Sequence, residues 1–135
     1  MPDFYSYARS DNFSLARSKT WSALADGTWN LIHLPRFAFV TDVFLDIITA
    51  YTAAGSTLTV GYVGNQEAVA NPDGFLTTDL AKPLETGIKR AQKVALGQYP
   101  GYWFNSGSGI LTITSDDNGG TAGTFIVFVV YSILH

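Results

Sequence analysis

The segment from Thr124 to Leu134 constrains the fold of this chain more than any other feature. Successive residues of a β-strand point to opposite faces of a sheet. One face would carry Phe125, Val127, Val129, Tyr131 and Ile133, and the other Ile126, Phe128, Val130, Ser132 and Leu134. A sheet with one wet face alternates apolar and polar residues. A strand that is apolar on both faces therefore has to be covered twice, the second time by a loop or arm of its own chain or by another subunit.

A second segment, Val43 to Ala50, has the same character apart from Asp46. A chain of 135 residues has little spare length to cover both strands. The two segments together therefore predict that the protein assembles with copies of itself. We expect a homo-oligomer.

The remainder of the chain after residue 27 is also strand-like. Runs rich in β-branched and aromatic residues are separated by turn residues such as those of Asn71 to Gly74. The predicted strands are Thr28 to Leu34, Ala38 to Tyr51, Thr57 to Val63, Phe75 to Leu80, Gln92 to Leu96, Gly101 to Phe104, Ile110 to Ser115 and Thr124 to Leu134. This pattern predicts an all-β fold, an antiparallel β-sandwich of jelly-roll-like topology, over residues 28–135.

Residues 1–27 have mixed polarity and no sustained period. We expect an N-terminal arm, either extended or containing a short helix over Asn12 to Leu24 with Asp11 as its cap. Such an arm cannot build its own core, so its aromatic side chains are candidates for contact with a neighbouring surface. These candidates are Phe4, Tyr5, Tyr7, Phe13 and Trp21.

Composition supports assembly and argues against several classes of function. Charged residues make up 14% of the chain, against about 25% in average soluble proteins. A net charge of -3 argues against a nucleic-acid partner, which needs a basic protein face. The longest apolar run is too short for a membrane span, and the first residues lack the pattern of a secretory signal, so we expect no membrane partner and synthesis in the cytoplasm.

Charge is unevenly distributed along the chain. Between residues 37 and 81 there are five acids and no Lys or Arg, whereas residues 82–93 hold four bases and the single acid Glu85. Two oppositely charged patches can align neighbouring subunits. Two separately solvated loops are the alternative.

The sequence offers little for catalysis or for a cofactor. With no cysteine and with His33 as the one internal histidine, a nucleophile–histidine set would depend on a residue inside a predicted strand. Asp42 and Asp46 share a strand face but lie roughly 13 Å apart by strand rise, too far for an acid–base dyad. Asp116, Asp117 and Asn118 carry the oxygen ligands of a calcium loop, but a turn uses the same residues. We predict a non-enzymatic protein with no catalytic residue, no metal site and no cofactor.

Aromatic residues are the remaining functional signal. Four rings lie within Tyr99 to Phe104, and rings of this kind form core contacts, interface hot spots or platforms for sugars. We name Tyr102 and Trp103 as interface candidates, together with Phe128 and Tyr131 of the last strand.

Several stretches resemble small virion structural proteins of tailed bacteriophages. They are Val40 to Ile47, Ser56 to Gly61, Asp73 to Leu76 and Thr121 to Phe128 followed by Tyr131. The resemblance implies a compact β-sandwich that serves as a head decoration, cement or fibre component of a virion. It also implies a major capsid protein or another virion protein as partner, and a trimer, since shells have three-fold positions.

Two functions follow as hypotheses. The first is a capsid decoration or cement protein that binds and stabilises a viral shell as an oligomer. The second is a lectin-like or receptor-binding tail or fibre module, suggested by Trp103, its neighbouring rings and the polar loop from Gly64 to Gly74.

Overall fold

The chain folds into two antiparallel sheets that pack face to face. A computed structural model describes residues 13–22, 26–64, 71–91, 102–104 and 108–133. Its elements are β1 (Phe13–Arg17), β2 (Trp21–Ser22), β3 (Gly27–Leu34), β4 (Ala38–Thr49), β5 (Thr57–Gly64), β6 (Asn71–Leu76), α1 (Thr78–Ala81), β7 (Gly87–Arg90), β8 (Tyr102–Trp103), β9 (Gly109–Asp116) and β10 (Thr124–Ile133). The predicted all-β antiparallel sandwich is confirmed.

The six-stranded sheet is built around the two long apolar strands identified in the sequence. β10 pairs antiparallel with β4, which places Phe128 opposite Phe44. β1 and β2 pair with the free side of β10, and β7 and β8 with the free side of β4. The two strands that are apolar on both faces thus lie next to each other at the centre of this sheet.

The four-stranded sheet has the order β3-β9-β5-β6 and covers one face of the larger sheet. Alternate residues of both sheets point into the space between them and form a single core. Fully buried members include Val43, Leu45, Leu58, Val60, Phe75, Phe104, Leu111, Ile113, Phe125, Val127 and Val129.

Most predicted strands are confirmed, and two parts of the prediction were wrong. The strand predicted over Phe75 to Leu80 begins earlier, as β6, and residues 78–81 form the short helix α1. The predicted turn from Asn71 to Gly74 is part of β6, because Gly61 lets the two backbones approach closely. A Cβ at Gly61 would lie 1.9 Å from the Asn71 carbonyl oxygen.

Edge strand β7 was missed because its sequence, Gly-Ile-Lys-Arg, has no alternation and two positive charges. Charged residues are common on edge strands, where they discourage pairing with other chains. The strand predicted over Gln92 to Leu96 lies outside the described residues.

The described part of the N-terminal arm is extended. β1 and β2 both pair with β10, and the break between them is bridged by Ser18. The Ser18 amide donates to the Val127 carbonyl at 2.8 Å, and the Val127 amide donates to the Ser18 hydroxyl at 3.0 Å. Of the two predicted conformations, the extended one therefore holds for residues 13–22. Residues 1–12 lie outside the described ranges.

No helix among the described residues is long and apolar enough to cross a membrane.

Tyr51 joins the two sheets through a buried hydrogen bond. Its hydroxyl lies 2.6 Å from the Ser115 hydroxyl, at the end of β9. Burial raises the pKa of Tyr51 to about 12, and the nearby charges of Asp117 and Asp26 act in the same direction, whereas the hydrogen bond between Tyr51 and Ser115 lowers it. The folded state therefore holds Tyr51 neutral at a pH where the unfolded chain ionises it.

We predict that Tyr51 makes the protein less stable as the pH rises from about 10 to about 12. In that window the unfolded chain has lost the phenol proton and the folded protein keeps it, so each pH unit costs up to about 1.4 kcal/mol. Urea unfolding at pH 8 to 11 measures the slope. Tyr51→Phe removes the hydrogen bond and should lower the free energy of unfolding by about 1 kcal/mol at neutral pH. Its free energy of unfolding should then fall less steeply than that of the wild type as the pH rises above 10. Equal slopes in both proteins would contradict this account.

Candidate functional site

The two outward faces of the sandwich differ in polarity. On the four-stranded sheet, a row of threonines crosses three strands: Thr28 on β3, Thr114 on β9 and Thr59 on β5. The hydroxyls of Thr28 and Thr114 lie 2.9 Å apart. We call this surface the threonine face. It has the polar character expected where a sheet meets water.

The outward surface of the six-stranded sheet is different, and we call it the apolar face. One row crosses four strands, from Arg17 on β1 through Phe128 on β10 and Phe44 on β4 to Arg90 on β7. The guanidinium carbon of Arg17 lies 5.9 Å from the centre of the Phe128 ring, and that of Arg90 lies 5.8 Å from the centre of the Phe44 ring. Two adjacent phenyl rings are thus flanked by two cations, a favourable arrangement for ring faces.

A second row crosses the same sheet near one end. It runs from Phe13 on β1 through Ser132 on β10 and Phe39 on β4 to Trp103 on β8. Phe13 is 53% exposed and Trp103 is 42% exposed. The ends of this row are therefore large aromatic side chains open to solvent.

The rows between and beside these two are also largely apolar. Leu15 lies opposite Val130, while Ile126 and Ile88 flank Asp46 on either side. Exposure is greatest at the two edges, where Leu15 is 67% and Ile88 is 68% exposed. A surface of this kind on one face, with threonines on the other, is characteristic of a protein contact.

The charges on the apolar face are partly paired within the chain. Arg90 donates to both carboxylate oxygens of Asp42, at 2.7 to 3.1 Å. This hydrogen-bonded ion pair raises the pKa of Arg90 above its usual value. The acidic and basic segments of the sequence therefore meet inside one chain at this pair. Asp46, on the same strand as Asp42, makes no ion pair with any described residue.

Three of the predicted interface residues come together on the apolar face: Phe13, Trp103 and Phe128. Three others, Trp21, Tyr102 and Tyr131, pack against the core instead. Phe4, Tyr5 and Tyr7 lie outside the described residues. Sequence reasoning missed Leu15, Phe39, Phe44 and Ile88, because their membership of one surface depends on strand pairing and, for Phe39, on the extra residue Thr41 in β4.

The aromatic run near residue 102 does not form an open platform in the described structure. Tyr102 stacks on Tyr62 with ring centres 4.1 Å apart, and Phe104 is buried with its ring edge-on to Tyr62. Trp103 is the exposed ring, and its indole N–H donates to the Phe37 carbonyl at 3.2 Å. Two of the rings therefore serve mainly in packing.

The predicted alternatives for chemistry also have positions in the fold. His33 lies exposed on β3, opposite Ile110. Carboxylate oxygens of Asp26, Asp116 and Asp117 lie within 4.8 Å of one another. Asp116 and Asp117 accept from the amides of Asn118 and Gly119, which is the hydrogen bonding of a turn.

Three solved phage capsids contain a chain with a similar fold. A chain in the acid-stable capsid of the Helicobacter pylori bacteriophage KHP30 has a TM-score of 0.65 and 20% identity, covering 90% of this chain and 87% of that one. A chain of the cyanophage Pam1 capsid has a TM-score of 0.63 and 16% identity, covering 91% of this chain and 86% of that one. A chain of the capsid of Ralstonia phage GP4 has a TM-score of 0.65 and 15% identity, covering 100% of this chain and 90% of that one. At these identities the likeness shows the fold.

No family model matches the sequence, and no curated protein matches it either.

The two faces of β10 provide a matched pair of substitutions. Phe125→Ala removes a fully buried ring and should cost about 3–5 kcal/mol. Phe128→Ala, on the same strand and half-buried, should cost about half as much or less in the separated chain. Urea unfolding at a concentration where the protein is monomeric measures both. Equal losses would mean that the Phe128 ring is covered within one chain.

Proposed function

We propose that this protein is a non-enzymatic virion structural protein, a capsid decoration or cement protein that binds and stabilises a viral shell as an oligomer. The observation that carries the proposal is the contrast between the apolar face and the threonine face of one sandwich. The fold shared with chains of three phage capsids supports it. Its place is the virion, and its partners are other copies of itself and a shell protein.

The apolar face is large enough to form an interface. A strand residue occupies about 16 Å² of sheet plane at the usual rise and strand spacing, so the six strands present roughly 550 Å² before side-chain relief is added. Specific interfaces bury about 800 Å² of accessible surface on each partner. Covering this face with other copies would therefore bury an area of the same order as a specific subunit contact.

Oligomerisation gives such a protein its mechanical effect. A shell repeats the same surface many times, and an oligomer presents its shell-binding surface several times with fixed spacing. When one copy binds, the others are held close to further sites, which raises the overall affinity by about 10²–10⁴ without any new contact. Binding to the assembled shell in preference to separated subunits then stabilises the assembled state by mass action.

The receptor-binding alternative has less support among the described residues. A platform for sugars needs several exposed rings side by side, whereas Tyr102 and Phe104 pack inward. The ring beside Trp103 on the sheet is that of Phe39, which belongs to the apolar face. The hypothesis of a catalytic site also has little support among the described residues. His33 lies on the threonine face, opposite Ile110, and Asp42 forms an ion pair with Arg90.

We predict that the purified protein co-sediments with shells of its source phage prepared without it, and raises their melting temperature. Phe128→Asp should break the oligomer and weaken shell binding at least about a hundredfold, because avidity is lost. Thr59→Asp introduces the same charge on the threonine face and is the control for folding and net charge. A folded, oligomeric wild-type protein that does not bind shells would overturn the proposed function.

A further inference from the structure

Strand β7 has one side on which a further strand can pair. Among the described residues it pairs with β4 alone, and the register places Arg90 opposite Phe44. At the next position the Ala91 amide donates to the Val43 carbonyl at 2.8 Å. Bonded and non-bonded pairs alternate along an antiparallel ladder, so the backbone N–H and C=O groups of Arg90 and Ile88 point away from β4. These groups form a short row of pairing positions at the edge of the six-stranded sheet.

A cleft of about 330 Å³ lies beside this edge, and we call it the edge cleft. Three of its six lining residues are basic, one is acidic and two are aliphatic: Lys82, Lys89, Arg90, Glu85, Leu80 and Ile88. Ile88 is 68% exposed, and Ile48, near it on the outward side of β4, is 47% exposed. The edge cleft therefore offers positive charge together with open apolar contact.

The positive charge of the edge cleft is only partly compensated within the chain. Arg90 pairs with Asp42. The Lys89 ammonium donates to the backbone carbonyls of Glu85 at 2.6 Å and Lys82 at 3.4 Å, which leaves its third donor for another acceptor. Burial lowers the pKa of Lys89; the Glu85 carboxylate opposes this and the Lys82 ammonium adds to it. Lys82 itself is exposed and makes no ion pair with any described residue. An incoming carboxylate would therefore be favourable here.

We infer that the free side of β7 receives an extended, acidic segment of the shell protein as an added strand. This inference rests on the proposed function and deepens it by naming the surface that binds the shell. The segment exchanges main-chain hydrogen bonds with Ile88 and Arg90, and its carboxylates meet Lys82 and Lys89. In strand addition of this kind, main-chain hydrogen bonds supply affinity and side chains supply specificity.

The described edge strands of a second copy do not offer such a segment. β1 carries Arg17, which the bases of β7 would repel. β3 and β8 contain no acid. β6 carries Asp73, but the preceding Pro72 has no N–H to donate to a ladder. The bases of β7 thus discourage pairing between copies and favour an acidic strand from a different protein.

A proline at position 88 tests strand addition directly. Ile88→Pro removes an N–H that points away from β4, and edge strands tolerate proline in that position. Ile88→Ala keeps the N–H and is the matched control for loss of the side chain. Ile88→Pro should bind shells at least about tenfold more weakly than Ile88→Ala in co-sedimentation, because a main-chain hydrogen bond is lost and the ring obstructs pairing. Urea unfolding and native mass show whether both variants remain folded and associated.

The outcomes separate this inference from the function on which it rests. Equal shell binding by the two folded variants overturns strand addition at β7 and leaves the decoration function in place. A folded wild-type protein that does not bind shells overturns the decoration function itself.

A change of charge tests the acidic character of the segment without touching the backbone. Lys82→Glu should weaken shell binding about tenfold at low salt, and the difference from the wild type should shrink as salt is raised. Lys19→Glu makes the same change between β1 and β2, at the opposite edge of the sheet, and should leave shell binding unchanged. Equal losses in the two variants would mean that net charge, and not the edge cleft, determines binding.

Cross-linking identifies the occupant. A carbodiimide joins an amine to a carboxylate in direct contact, so treatment of the wild-type protein bound to shells should link Lys82 to Asp or Glu of the shell protein, as read by mass spectrometry. Lys82→Arg keeps the charge and lacks the amine, so it should bind shells and give no such product. A product that joins Lys82 to a second copy of this chain, with none to the shell protein, would overturn the assignment of the segment.

Discussion

The pairing of β10 with β4 is the interaction on which the rest of this structure depends. Each strand carries one set of side chains into the sandwich core and a second apolar set outward, because strand residues alternate between faces. Val127, Val129, Val43 and Leu45 are fully buried between the sheets. Phe128 and Phe44, on the other side of the same strands, meet no second layer within the described chain. One backbone pairing therefore fixes both the core of the protein and the outward apolar surface for which we propose a partner.

The opposite sheet shows that this protein can also build a polar outward face. β5 and β9 are equally well buried on their inner side, yet their outward side chains are mainly threonines, which keep strand propensity while accepting water. The chain thus has the means to build a wet sheet face and uses it on one sheet. The outward phenyl rings of the other sheet are then a property of that sheet in particular.

The sequence was sufficient to predict the fold class and the doubly apolar strands, because both depend on local alternation. It was less sufficient for β6, where a Pro-Asp-Gly segment looks like a turn and is held as a strand by its close approach to Gly61. The sequence analysis missed the edge strand β7, because its two basic residues and lack of alternation are not typical of a strand. Of the proposed interface residues, Phe13, Trp103 and Phe128 meet on one face, whereas Tyr102, Tyr131 and Trp21 pack inward. In β4 the outward side chains depend on register, because the extra residue Thr41 places both Phe39 and Phe44 on the outward face.

The central claim, that the apolar face is covered by other copies, can be tested most directly by hydroxyl-radical footprinting over a range of protein concentrations. The account predicts that oxidation of Phe44 and Phe128 slows as the protein associates, while oxidation of Trp29, which lies on β3 of the four-stranded sheet and packs against the core, stays constant. Oxidation of Phe44 and Phe128 that is as fast in the associated protein as in the dilute protein would contradict it.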